Sequence, residues 1–251
     1  MAENKIGKYF LYALGEIILV VLGILIALQV NNRNEAKKAR AQEIILLENI
    51  KKDLNLDTLD IGFNLQYHKA FITEEKKFLN FLNSDLIQPS DLIDYNGALS
   101  APLVIVLHES TFTNVQNNDI GLLSNNELRK EISRFYDFFN KAIQKVENDK
   151  EVYEAYTLKL PYFLKYFKLD PDAPPMVLSN PNSDDYYNPD FQKQSIIIED
   201  IPGAKQDEAF KIVMNESIFF RQIKIDFYID MVNRINELSQ KIDQELEILV
   251  N

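Results

Sequence analysis

The chain contains no cysteine and no tryptophan, and it has only two histidines among its 251 residues. Without cysteine it can form no disulfide, no thiolate metal site and no cysteine nucleophile. Glycine is scarce as well, at seven residues, which leaves little room for a sheet-rich domain built on tight turns. These absences exclude several catalytic classes and favour a helical fold.

One apolar run dominates the N-terminal part of the chain. It covers 22 residues from Tyr9 to Val30, and after Tyr9 and Tyr12 its only ionisable side chain is Glu16. A bilayer core needs about 20 apolar residues in a helix. The run exceeds the roughly 7 to 15 residues of a signal-peptide core, and no small-x-small cleavage site follows it. We expect a retained transmembrane helix at residues 9–30, preceded by a short tail at residues 1–8.

Glu16 is an acid near the middle of this predicted span. An acid at that depth costs about 2.5 to 3.5 kcal/mol on insertion scales unless it is protonated or has a partner. At 100° per residue, Gly23 and Ala27 lie within about 20° of Glu16 on the helix surface. The three residues form one face, on which two small residues allow another helix to approach closely. Glu16 is therefore interpreted as a packing residue between helices, with proton or ion transfer as the alternative.

The sequence GKYFLYALGEIILVVLGILIALQVNNRNE, from Gly7 to Glu35, resembles the opening signature of an uncharacterised family of small single-span membrane proteins from Bacteroidota. A weaker similarity covers Ser110 to Leu128, where the resemblance implies a short helix, a leucine-rich turn and a following helix. The chain departs from the family pattern in having Arg33 in place of a tryptophan and only a short basic leader. The resemblance implies a location in the inner membrane and an architecture, but no activity.

The charges that flank the predicted span give conflicting indications of topology. Lys5 and Lys8 precede the span, whereas four basic residues follow it: Arg33, Lys37, Lys38 and Arg40. Counted literally, the positive-inside rule places the C-terminal domain in the cytoplasm. The basic leaders of the family point the other way. We expect the N-terminus inside and the C-terminal domain in the periplasm.

The rest of the chain is strongly acidic. Residues 1–40 carry a net charge of +3, so the other 211 residues carry −14 of the total of −11. A nucleic-acid partner would require a basic face, so none is expected. The charge suits solubility beside an anionic membrane, and residues 31–251 are sufficient for one domain with a sizeable core.

Hydrophobic periodicity predicts an all-α fold, an elongated bundle of long helices behind the membrane helix. Three seams of heptad spacing predict helices from about Ala36 to Leu82, from Leu128 to Leu160, and from near Asp207 to Leu249. Ser124 and Glu127 are expected to form a capping box, and Pro161 to mark the end of the second helix. A short helix is expected near Thr111 to Asn118.

Two stretches depart from the helical pattern. Leu103 to Leu107 reads LVIVL and is the one strand-like run, although buried extended chain or helix would fit equally well. Asp170 to Gly203 contains six prolines and an Asn/Asp-rich centre. It is expected to form a long ordered loop or a mobile flap.

Candidate chemistry is sparse. His68 and His108 are not at metal-ligand spacing from each other, and His68 lies on an apolar seam, where a hydrogen-bonded core histidine is the expected role. The acidic stretch of the proline-rich loop fits no EF-hand spacing and is expected to be a hydrated turn, with neighbouring tyrosines as packing groups; its residues are Asp184, Asp185, Tyr186, Tyr187, Asn188 and Asp190. No phosphate loop or nucleophile elbow occurs. We predict no catalytic residue, no metal and no cofactor.

Three classes of function remain. The first is a non-enzymatic, membrane-anchored helical module that binds an unknown partner, such as a membrane protein, or associates with itself through the span. The second is an ion- or proton-coupled subunit of a motor-like or energy-transducing complex that uses Glu16, which rests on analogy of layout alone. An enzyme is the least supported of the three. The first class is the prediction.

Overall fold

A computed structural model describes residues 3–89, 93–99, 105, 108, 110–113, 122–147, 157–172 and 196–250. In chain order its elements are α1 (Glu3–Leu82), α2 (Tyr95–Leu99), α3 (Asn126–Glu147), α4 (Leu160–Tyr166), β1 (Phe167–Leu169), β2 (Ile196–Ile198), α5 (Ile201–Gln206) and α6 (Glu208–Val250). Residues 110–113 form one further helical turn. The predicted all-α class is confirmed, since the described strands are two segments of three residues each.

The predicted membrane helix and the helix that follows it are one continuous element. Helix α1 has 80 residues, which corresponds to about 120 Å at 1.5 Å per residue. The junction, from Asn31 to Glu35, contains neither glycine nor proline, so nothing in the backbone ends the helix there. The helix expected from about Ala36 to Leu82 is therefore the continuation of the membrane helix, and it ends at Leu82 as predicted.

Helix α6 runs back along α1, so that Lys51 pairs with Asp243 near one end and Glu75 pairs with Arg221 near the other. Helix α3 packs on this pair and completes the larger core, which buries Leu47, Ile50, Leu54, Ile132, Phe139, Tyr228, Ile235 and Ile242 among others. A second core lies at the far end and is rich in aromatic rings, with Phe78, Phe81, Tyr166, Phe167, Phe210 and Met214. The bundle thus has two apolar cores along one helix pair.

The predicted signals at two helix ends were wrong. Helix α3 is capped by Asn125, whose side-chain oxygen accepts hydrogen bonds from the backbone N–H groups of Glu127 and Leu128 at 3.1 Å. Ser124 instead donates its hydroxyl to Glu43. Pro161 lies in the first turn of α4. A proline is tolerated there because the first N–H groups of a helix have no partner within the helix.

The region from Asp170 to Gly203 is not a simple loop. Strand β2 pairs antiparallel with β1, with Phe167 opposite Ile198, and α5 begins at Ile201 with Pro202 in its first turn. Three consecutive isoleucines at 196–198 provide β-branched residues that suit a strand. The remainder of the predicted loop, residues 173–195, lies outside the described residues, as do residues 148–156 of the second seam, 114–118 of the short helix and most of Leu103 to Leu107.

Candidate functional site

The face formed by Glu16, Gly23 and Ala27 lies on the outer surface of α1, where all three residues are exposed. The most apolar window of this helix has a mean hydropathy of 2.5 and no part of it is buried. By length and composition, α1 is long and apolar enough to cross a membrane. A side chain added at Gly23 would meet nothing within 4 Å, so the surface is open to another helix.

The continuous helix relates this face to the bundle. At 100° per residue, the core-facing positions of α1 between Glu43 and Leu82 point about 150° away from the direction of Glu16. On the side of Glu16, the bundle leaves large apolar residues uncovered, among them Ile45 at 57% and Leu59 at 70% exposure. The small-residue face and this outer face therefore lie along the same side of one rod.

Inside the bundle, a cluster of buried charges lies between α1 and α6. The carboxylate of Glu75 accepts hydrogen bonds from Arg221 Nε at 2.8 Å and Nη2 at 2.9 Å, from Lys159 Nζ at 2.9 Å, and from Ser217 Oγ at 2.8 Å. Each of these residues is at most 2% exposed. Burial alone raises the pKa of Glu75, but the hydrogen bonds from Arg221 and the charge of Lys159 outweigh it and hold the pKa below its usual value.

His68 completes this cluster. Its Nδ1 lies 3.1 Å from Arg221 Nη1, and its ring makes an edge contact with Tyr228. His68 is fully buried, so the expected role of a hydrogen-bonded core histidine is confirmed. The cluster is a structural ion-pair network, because four donors surround the one carboxylate of Glu75.

A second group of acids fastens the irregular segment between α2 and α3 to helix α1. Glu43 accepts the backbone N–H of Ser124 at 2.6 Å, Asp53 that of Thr111 at 3.1 Å, and Asp57 that of His108 at 2.7 Å. These acids occupy one side of α1, at successive heights. Backbone N–H groups that are shielded from water require acceptors, and here carboxylates of α1 supply them.

Asp57 is the most perturbed of these acids. Burial raises its pKa to about 6, although hydrogen bonds from the backbone and the ring of His108 act in the opposite direction. Its Oδ1 lies 3.0 Å from His108 Nδ1, and its buried Oδ2 has no hydrogen-bond partner among the described residues. The described residues include no group of three or more His, Cys, Asp or Glu side chains placed to hold a metal ion.

The charged cluster was not predicted from the sequence, although the heptad pattern contained a signal for it. Glu75 occupies the seam position between Ile72 and Leu79, and Ser217, Arg221 and Lys224 occupy successive seam positions before Tyr228. Polar residues at core positions of two antiparallel seams predict a buried network. The aspartates and tyrosines predicted for the proline-rich loop, Asp184 to Asp190, lie outside the described residues.

A sequence model of a family of unknown function, DUF6090, matches residues 16–163. This match covers more than half of the chain, so the chain belongs to that family. No curated protein and no solved structure matches the chain.

Proposed function

We propose that this member of the DUF6090 family is a membrane-anchored, non-enzymatic helical module that associates with a second copy of itself through its span. The observation that carries the proposal is the continuity of α1, which joins an apolar, fully uncovered segment to the bundle without a break. A single helix of this kind holds the bundle in a fixed rotation about the span. The relative rotation of two spans in the membrane therefore also determines the relative rotation of their bundles.

The rotation of α1 favours self-association through the face of Glu16, Gly23 and Ala27. Because this face points about 150° away from the bundle core, a second α1 can approach it without meeting α3 or α6. Small residues allow close backbone approach, and a protonated carboxylic acid can hydrogen-bond to its counterpart across the contact. The exposed Ile45 and Leu59 extend the same side above the membrane.

A non-enzymatic role is supported by how the buried acids are used. Glu43 and Asp53 bind backbone N–H groups of the connecting segment, and Glu75 is surrounded by donors from α6 and from Lys159. These acids hold the fold together, whereas a catalytic acid needs contact with a substrate.

Disulfide crosslinking tests the proposed interface, because the chain contains no cysteine of its own. Ala27→Cys places a thiol on the proposed face, and Leu25→Cys places one about 160° away at nearly the same depth. In oxidised native membranes we expect the Ala27→Cys chain to form a covalent dimer and the Leu25→Cys chain to remain monomeric. Equal crosslinking of both, or of neither, would contradict the interface.

The ion-coupled alternative differs in what it requires of Glu16. Glu16→Gln keeps a hydrogen-bonding group of nearly the same shape but cannot take up or release a proton. For a packing role we expect Glu16→Gln to preserve the Ala27→Cys crosslink and any phenotype that distinguishes wild type from a deletion strain, and Glu16→Leu to weaken both. A glutamine variant that crosslinks normally but behaves like the deletion would establish ion coupling instead.

We also propose that the span lies in the inner membrane with the bundle in the periplasm. The exposed position of Asn215 on α6 suits a test, since a cysteine there leaves the core untouched. In intact spheroplasts, Asn215→Cys should react with a membrane-impermeant maleimide. Labelling that requires lysis would place the bundle in the cytoplasm, as the four basic residues after the span indicate.

A further inference from the structure

The end of the bundle nearest the span is formed by the last turn of α6 beside residues 36–43 of α1. Arg40 Nη2 donates a hydrogen bond to the carbonyl oxygen of Ile248 at 3.0 Å. A groove of 570 Å³ opens here, lined by Arg40, Leu122, Ile248 and Leu249 among others. Ile248 is 66% exposed and Val250 is 72% exposed, so this end presents apolar side chains outward. Glu43 also lines the groove, but it is buried and binds Ser124.

Two basic residues, Arg33 and Lys37, lie on α1 between the span and this groove, which Arg40 lines. Arg33, Lys37 and Arg40 are spaced i, i+4, i+7 and fall within about 60° of arc, on the side of the helix that meets α6. Along the axis they stand about 4.5, 10.5 and 15 Å beyond Val30. The polar layer on each side of a bilayer core is about 5 to 7 Å thick, and long basic side chains extend toward it. The charged ends of Arg33 and Lys37 therefore reach the level of lipid phosphates, whereas Arg40 stands beyond this layer and bonds to Ile248.

We propose that this end of the bundle is a docking surface for anionic phospholipid. Arg33 and Lys37 bind the phosphate groups, and Arg40, above them, ties the last turn of α6 to α1. The inference rests on the proposed membrane anchor, since α1 sets the height of these basic residues.

Charge complementarity favours this lipid. The 211 residues after Arg40 carry a net charge of −14, which an anionic surface repels. The basic stripe offers attraction at the end where α1 leaves the membrane. The bundle is therefore held upright on the membrane by its basic end, with its acidic length directed away.

Native mass spectrometry of the full-length chain in detergent, with phosphatidylglycerol and phosphatidylcholine supplied in equal amounts, tests this surface. We expect wild type to retain phosphatidylglycerol at least about fivefold over phosphatidylcholine, the factor that one basic residue near an anionic surface supplies. The triple variant Arg33→Gln, Lys37→Gln, Arg40→Gln should lose the preference. The matched control Lys52→Gln, Lys69→Gln, Lys76→Gln removes the same charge from exposed positions of α1 about 33 Å or more beyond Val30, and it should keep the preference.

Other outcomes would overturn the proposal. Absence of a preference in wild type, its persistence in the first triple variant, or an equal loss in the control would each show that the basic stripe is not the binding site. A disulfide-linked dimer formed by Ile248→Cys in membranes would show that a second copy covers this end instead. Flotation of the chain with phosphatidylcholine vesicles separates the two proposals: a chain that floats but lacks the preference refutes only the lipid site, and a chain that does not float refutes the anchor as well.

Discussion

Replacing Glu75 by glutamine should be among the most destabilising single substitutions in the bundle. Glu75 is fully buried and receives four hydrogen bonds, three of them from the cationic side chains Arg221 and Lys159. A guanidinium stays charged in proteins, so Glu75→Gln leaves Arg221 as a buried cation without its counter-charge. The amide NH2 group of the glutamine also places a hydrogen-bond donor against the donors of Arg221, Lys159 and Ser217. Removing one partner of a buried ion pair costs about 3 to 5 kcal/mol.

Urea unfolding of the full-length chain in detergent micelles, followed by helical circular dichroism, measures this loss. At a slope of about 2 to 3 kcal/mol per molar urea, the midpoint should fall by about 1 to 2.5 M. Glu48→Gln is the matched control, because Glu48 is exposed on the same helix, and its effect should stay within about 0.5 kcal/mol. A shift as small as that of the control would refute the assignment of Glu75 as the centre of the cluster.

Two further measurements test the physical cause of this loss. Because the pKa of Glu75 is lowered in the folded state, its stabilising contribution is present above the unfolded value of 4.5 and is lost as pH falls through the folded value. The difference between wild type and Glu75→Gln should therefore shrink below pH 4.5. Replacing Glu75, Lys159 and Arg221 together by methionine should recover most of the loss, because well-packed apolar residues often match a buried ion pair. A triple variant less stable than Glu75→Gln would contradict this account.

Three other predictions follow from the same contacts. Burial raises the pKa of Asp57 from 3.8 to about 6, so the folded state binds a proton more tightly than the unfolded state and its stability falls as pH rises through this window. In urea titrations, the stability of Asp57→Asn relative to wild type should therefore increase by up to about 3 kcal/mol between pH 4 and 7. A difference that does not change with pH would contradict the shift. Asn125→Ala removes the cap of α3 and the amide that donates to Glu245 at 2.6 Å, and should cost about 1 to 2 kcal/mol in thermal unfolding, whereas a neutral effect would show that the cap is dispensable. The full-length chain should stay with membranes through carbonate extraction, and a chain starting at residue 36 should be soluble and predominantly helical; recovery of the full-length chain in the supernatant would disprove the anchor.

Local periodicity explains which features the sequence analysis predicted well. The apolar run near the N-terminus, the helical class, the start of α6 near Asp207 and the buried position of His68 all follow from spacing along one helix, because a side chain's direction repeats every 3.6 residues whatever lies opposite it. The grouping of Glu16, Gly23 and Ala27 on one face depends on the same local geometry.

Tertiary structure decided every feature that depends on a distant partner. Glu75 and Arg221 are 146 positions apart, and only the antiparallel packing of α1 and α6 makes them a pair. Asn125 rather than Ser124 caps α3, because the hydroxyl of Ser124 donates to Glu43, 81 positions away. The geometry of Pro161 is compatible with either the end or the start of a helix, and the structure places it in the first turn of α4. The isoleucines at 196–198 form a strand because β1 provides the edge with which they pair. Local spacing determined which side of each helix is apolar, whereas packing determined which buried charge meets which.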